Sequence, residues 1–198
     1  MTLTETPAPG MTTPLPAAGT TRLHRVAGLD ISLTGTGIAT IGGTTRVPTA
    51  GRRADSLAER DTRLKYITGR VLEEVGTVDL VCVEGPVSYQ QPGGSTWDRA
   101  GLWWRIVSSF IGREMPVAVI PPTSRAKYAT GRGNARKTAV LDAAQQRYGA
   151  ILPTDDEADA LILRAMGLDW LGQALVSVPD GYRAALGGVR WPDMGVNR

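Results

Sequence analysis

The stretch VAGLDISLTGTGIATIGG, residues 26–43, decides the fold. VAGLDI (26–31) is a short apolar run, SLTGTG is a turn rich in Gly and Thr, and GIATIGG resumes the pattern of a strand, so the segment reads as a β-hairpin. TTRVPT (44–49) adds a third strand, which Pro48 confines to an edge or an end because proline has no N–H to give a ladder. Further on, Leu57, Leu64, Ile67, Val71, Leu72 and Val75 recur mostly at spacings of three, four or seven among charged residues. That predicts an amphipathic helix over 55–75. VDLVCVE (78–84) is a continuous apolar run ending in Glu84, which suits a strand buried on both faces of a mixed sheet. After the loop GPVSYQQPGGS comes WDRAGLWWRIVSSFIG, too densely apolar for a solvent-facing helix and expected to bury two faces. PVAVI (116–120) is a further strand. Thr123 or Ser124 is expected to cap a brief helix that stops at Gly131. Asn134 is expected to start the helix ARKTAVLDAAQQRYG, and LPTDDEADALILRAMG supplies the last clear helix, opened by Thr154 with Glu157 three residues on as a capping box. No internal repeat is present.

The 198 residues suit one domain with appendages: a disordered tail over 1–24, a folded domain over 25–170 and an extension over 171–198 with Trp191 as its anchor. No run approaches the roughly 18 apolar residues of a bilayer-spanning helix, which excludes a transmembrane protein. The opening MTLTETPAPGMTTPLPAAGTT has neither a basic start nor an apolar block, so a cytoplasmic protein is expected. One Cys permits no internal disulfide, and one Cys with one His cannot furnish the usual zinc ligands, so any metal must be held by oxygen. The net charge of +3 is too small to argue for nucleic acid by its total. Its distribution carries more.

Asp30 ends the first strand, Glu84 ends the buried central strand, and Asp156 and Asp159 lie three apart on the first turns of a helix, on one face. Carboxylates so arranged suit hard divalent cations, and two such ions about 3.5–4 Å apart can clamp a phosphodiester for in-line attack. Taken singly, an Asp at a strand end is also an ordinary turn residue, and Asp155, Asp156 and Glu157 also favour the helix dipole. Glu84 resists that explanation, because an unpaired charge near a sheet interior is expensive. Between Glu114 and Asp142 there is no acidic residue, whereas Arg125, Lys127, Arg132, Arg136 and Lys137 all fall there, around TGRGNARK. Two glycines expose backbone N–H groups beside a helix start, which suits phosphate, although a solvated basic loop has the same composition. The spacing of a nucleotide P-loop is absent, so a polynucleotide backbone is the expected partner.

Trp97, Leu102, Trp103, Trp104, Ile106, Val107 and Phe110 crowd one helix. One face should pack on the sheet, and the other is either buried within the chain or meets a second subunit. Tyr89, just after Glu84, is either a stacking platform for an unpaired base or a loop anchor. Cys82 reads as a buried small hydrophobe, and His24 has no role assigned by its position.

The element order βββαβαβαα is that of the RNase H-like fold, an order many α/β domains share. GLDISLTGTGIA, VCVEGP, TSRAKYATGRGNARK and DDEADALILRA together resemble the RuvC family of Holliday junction resolvases, and more closely its phage-encoded actinobacterial members, over about residues 26–168. The closing YRAAL and VRWP are also similar to the tails of those phage proteins. The resemblance implies an RNase H-like α/β domain with a mixed sheet of about five strands, acting as a homodimer that nicks branched DNA with Mg²⁺ or Mn²⁺. It implies metal ligands at Asp30, Glu84, Asp156 and Asp159, a catalytic basic residue at Lys137, and DNA contacts from Arg125, Lys127, Arg132, Arg136 and Tyr89. Two positions depart from the family pattern. Ala126, flanked by Arg125 and Lys127, stands where many members carry a lysine, and Val87 stands where the bacterial enzymes carry a stacking aromatic. The expected activity is therefore a two-metal endodeoxyribonuclease acting on four-way junctions, flaps or Y-forms, with no membrane partner. Three other readings stand beside it: a flap or debranching nuclease, a non-catalytic binder of branched DNA, and, because D-x-S-x-T-G-T-G is also similar to the phosphate loop of sugar kinases and actin-like ATPases, an ATP-binding protein.

Overall fold

The computed structural model describes residues 22–86 and 95–194. The expected hairpin is β1 (Val26–Asp30) and β2 (Gly35–Thr40), and the third strand is β3 (Gly43–Pro48), at the sheet edge with Pro48 its last residue. β4 (Leu80–Glu84) and β5 (Val117–Ile120) complete a mixed sheet in the order β3-β2-β1-β4-β5. β1, β4 and β5 run parallel, and β1, β2 and β3 antiparallel. The helices are α1 (Leu57–Val75), α2 (Thr96–Ile111), α3 (Pro122–Thr130), α4 (Lys137–Tyr148), α5 (Asp155–Trp170) and α6 (Asp180–Arg183), followed by a 3-10 turn over Ala184–Gly188.

Strand alternation sorts the side chains into two cores. Ala27, Leu29, Val81 and Val83 pack with α1 and α2, whereas Val26, Leu80, Cys82, Ala118 and Ile120 pack with α5, α3 and α4. Cys82 is the buried small residue its surroundings predict, with its thiol pushed well up by burial. α5 is buried on nearly all sides because it lies between the sheet and the layer formed by α3 and α4. It approaches β1 and β2 closely at Gly28 and Gly37, where an added Cβ would collide with the backbone of Ala160 and Asp156 respectively.

Four local expectations change. α2 buries one apolar face, through Leu102, Ile106, Val107 and Phe110, and leaves Trp97, Trp104 and Ile111 exposed; density of apolar residues does not by itself say that both faces are covered within the chain. Neither Thr123 nor Ser124 caps α3, since Pro121 and Pro122 set its first turn with φ values already suited to a helix start. α4 begins at Lys137 with Arg136 at the cap, three residues later than an Asn134 start, and no side chain caps it. At α5, Thr154 accepts from Glu157 N, but Glu157 receives the Thr154 hydroxyl rather than its backbone N–H, so the capping box is only half formed. The complete box is at α1, between Ser56 and Glu59.

The last described segment packs on the domain. Trp191 stacks on Trp170 with ring centroids 4.6 Å apart, and Arg190 bridges Val119, covering the otherwise free edge of β5. Among the described residues, no helix is long and apolar enough to cross a membrane.

Candidate active site

Parallel strands bring their carboxyl ends to one edge of the sheet, and ligands of open α/β sheets bind beyond such ends. Leu29 pairs with Val83, so Asp30 and Glu84 are the next residues on adjacent parallel strands. Alternation sends Asp30 to the face of Val26 and Glu84 to the face of Cys82, which is the face that α5 covers. The close approach permitted at Gly28 and Gly37 then sets Asp159 of α5 against both. One oxygen from each of Asp30, Glu84 and Asp159 lies within 4.8 Å of the others.

Such a cluster is electrostatically unfavourable on its own. Burial, reinforced by Glu84 and then Asp159, pushes Asp30 up to about 8. Burial likewise raises Asp159 to about 7, although Arg125 opposes the shift. Arg125 of α3 is the nearest cation: its Nε donates to Glu84 Oε1 at 2.6 Å, and its Nη1 donates to Asp159 Oδ1. Three carboxylates, two of them buried, stand beside one guanidinium that bonds two of them, and an all-oxygen donor set of this kind is what Mg²⁺ or Mn²⁺ takes. The residues present fit such an ion.

The other sequence-predicted residues fall in three places. Asp156 lines the same cleft, of about 400 Å³, but stands outside the cluster of three, because Arg46 from β3 donates from Nε to its Oδ2 at 2.7 Å. Lys137 reaches the rim from the start of α4 and donates to Asp155 Oδ2 at 2.7 Å, which holds the Asp155 carboxyl below its ordinary range. Arg132 and Arg136 are exposed and line a separate groove of about 1060 Å³ between α4 and the chain around Tyr182. Lys127 is half-buried on α3 and lines neither. Tyr89, like Val87, lies outside the described residues. The largest departure is Arg125. A run of basic residues reads as solvent-facing, yet Arg125 is buried against the acids, while Ala126 turns into the core. Of its two expected substitutes, Arg125 alone enters the cleft.

Sequence reasoning missed Arg46, whose signal was available: a single Arg on an edge strand directly opposite Gly37 of the glycine-rich strand. It also missed the wall formed by α2, where Trp103 Nε1 donates to Glu84 O at 2.9 Å and Trp104 flanks the cleft. Gly35, Thr36 and Gly37 are β2, Thr36 is buried with its hydroxyl donating to Ser32 O, and the start of α5 covers Gly37.

No protein-family model matches the chain, and no curated protein matches it in sequence. Solved structures do match in shape. The chain is similar to Thermus thermophilus RuvC at 22% identity and a TM-score of 0.56, covering 76% of this chain and 98% of that one. It is similar to T. thermophilus RuvC in complex with Holliday junction substrate at 20% identity and a TM-score of 0.61, covering 77% and 98%. The fold is RNase H-like, of the RuvC type, as the element order and motifs lead one to expect.

Proposed function

We propose that this protein is a divalent-metal-dependent endodeoxyribonuclease that hydrolyses phosphodiesters at the branch of Holliday junctions or related branched DNA. The observation that carries the reading is the convergence of Asp30, Glu84 and Asp159 in a cleft whose negative charge exceeds its bound cation, on a fold shared with a junction-bound RuvC. These three carboxylates would hold the ion, with Asp156, held by Arg46, flanking it in the same cleft. A bound Mg²⁺ or Mn²⁺ supplies activation of water and charge stabilisation at the leaving oxygen. The chain supplies the rest. Burial of the acids excludes bulk water, Lys137 at the rim binds a phosphate next to the scissile one, and Arg132 and Arg136 track the backbone as it leaves the cleft.

Paired cleavage across a symmetric junction needs two such sites, and α2 offers the means. Trp97, Trp104 and Ile111 recur every seven residues on its exposed face, with exposed Gly101 and Ser108 between them. Large and small residues alternating on one stripe are self-complementary about a twofold axis. Trp104→Glu is expected to convert a dimer to a monomer in sedimentation.

The function is tested by incubating the protein with labelled four-way junction, flap, Y-form and linear duplex DNA in Mg²⁺, Mn²⁺ or EDTA, with Asp30→Asn alongside. Metal-dependent symmetric nicking of the junction supports a resolvase, and preference for the flap moves the role to general debranching. Wild-type cleavage by Asp30→Asn overturns the proposal.

A further inference from the structure

Arg125 is not placed like a residue waiting for a phosphate. Its side chain is 9% exposed, and it bonds one oxygen of Glu84 and one of Asp159. Its neighbours on α3, Ala126, Tyr128 and Ala129, are buried in the core, so the helix that carries it is fixed. A guanidinium stays charged at any pH a protein meets. Ionised, the three carboxylates carry a charge of about −3, and Arg125 returns about +1, leaving what one divalent ion balances. The remaining acids of the rim already have cations of their own: Arg46 on Asp156, Lys137 on Asp155. Arg125 takes one of the two oxygens of Glu84 and one of Asp159, and Asp30 shares a side-chain hydrogen bond with Glu84.

We propose that Arg125 is the resident second cation of the cleft, so that the site takes one divalent ion per chain rather than two. Two of its five N–H donors are engaged by carboxylate oxygens, and the residue lines the cleft with those acids. The guanidinium thereby supplies in fixed form the charge that a second ion would bring. This rests on the reading of the cleft as a metal centre, and it concerns how many ions the cleft holds.

The test is Mn²⁺ binding to the full chain without DNA, read by calorimetry and by the loss of the free Mn²⁺ signal in electron paramagnetic resonance. The wild type is expected to take one Mn²⁺ per chain. Arg125→Gln is expected to take a second, or to hold the first at least about tenfold more tightly, because a unit positive charge has left a weakly screened site. Arg125→Lys keeps the charge and is expected to stay at one ion. Two equivalent ions in the wild type overturn the proposal and leave the metal centre standing, as does an Arg125→Gln protein with unchanged count and affinity. No Mn²⁺ on either protein overturns both. If Arg125→Gln does not fold, Arg125→Met replaces it, and the wild-type count alone still decides.

Discussion

Helices α3 and α5 are joined by two buried carboxylate clusters, and the clusters differ in charge balance rather than in burial. Asp159 is 2% exposed and Asp169 3%. At Asp169 the acid is matched: Tyr128 donates its hydroxyl at 3.0 Å, and Arg183 forks onto both oxygens at 2.7–3.1 Å. At Asp159 one arginine serves three acids. Burial of a charge therefore does not mark function in this molecule; the uncompensated remainder does. Asp169 pins the C-terminal segment to the domain through α6, while Asp159, Asp30 and Glu84 outnumber the one guanidinium bonded among them.

The largest separation between the clusters is expected from Asp30→Asn. Losing one preorganised contributor to transition-state electrostatics commonly costs about 10²–10³ in rate, and Asp30→Asn acts by weakening the hold on the candidate ion, so cleavage should fall by about 10³ or more. Thermal stability of the metal-free protein should stay near level, because Asn keeps a donor for the hydrogen bond Asp30 shares with Glu84, and Arg125 bonds Glu84 and Asp159 instead of Asp30. Loss of activity together with loss of stability would make Asp30 a structural residue. Asp169→Ala should do the reverse. It strips the acceptor from the buried Tyr128 hydroxyl and from Arg183, and an unsatisfied buried group costs about 1–3 kcal/mol, measurable as a shifted denaturation midpoint. Metal binding by the folded fraction should be unchanged.

Much of this contrast could be read from the sequence, and its limits have physical causes. Asp30 and Glu84 were legible because strand alternation and the end of a buried run fix both depth and face. Asp159 and Asp156 could not be told apart, since a three-residue spacing gives both the same helix face; Arg46, brought in by β3 from far along the chain, is what separates them. Arg125 was read as a surface contact because a basic run is normally solvated, and only the count of acids around it argues otherwise. The exposed stripe of α2 was legible as apolar, but composition does not say whether the chain itself covers it. Gly28 and Gly37, which let α5 descend onto the sheet, carried the fold quietly: they read as turn and strand residues, and their role exists only once the helix is in place.

The two clusters should also separate on a pH axis. Asp30 is raised to about 8 and Asp159 to about 7. Between roughly pH 4 and these values the folded chain holds protons that the unfolded chain has released, so the folded state binds more and stability falls as pH rises. Each group contributes a slope of at most about 1.4 kcal/mol per pH unit. Metal-free protein should therefore denature more easily at pH 8 than at pH 6, and Asp30→Asn should flatten that trend. Divalent ions bind the deprotonated ligands, so Mg²⁺ should stabilise more at pH 8 than at pH 6. Tyr128 of the other cluster does not titrate in this window: burial, then Tyr148 and Asp169, hold its proton well above the ordinary tyrosine range. An Asp169→Asn protein that lost the trend would contradict the division.

The smallest effect is expected at the rim, where solvent weakens every pair. Lys137 is 67% exposed and its partner Asp155 40%, so their ion pair is worth about 0–1 kcal/mol, and Lys137→Gln should leave the denaturation midpoint almost unmoved. Its consequence lies in DNA binding. One phosphate contact fewer should weaken affinity across all branched substrates alike and reduce the salt slope by about 1. Asp155→Asn tests the same pair from the other side. Released from its carboxylate, Lys137 gains freedom to meet a phosphate and the rim loses a negative charge, so affinity should rise modestly, most clearly at low salt. If both substitutions weaken binding equally, Asp155 orients Lys137 rather than competing with DNA for it, and the rim behaves like the Asp169 cluster: a matched pair whose geometry matters more than its charge.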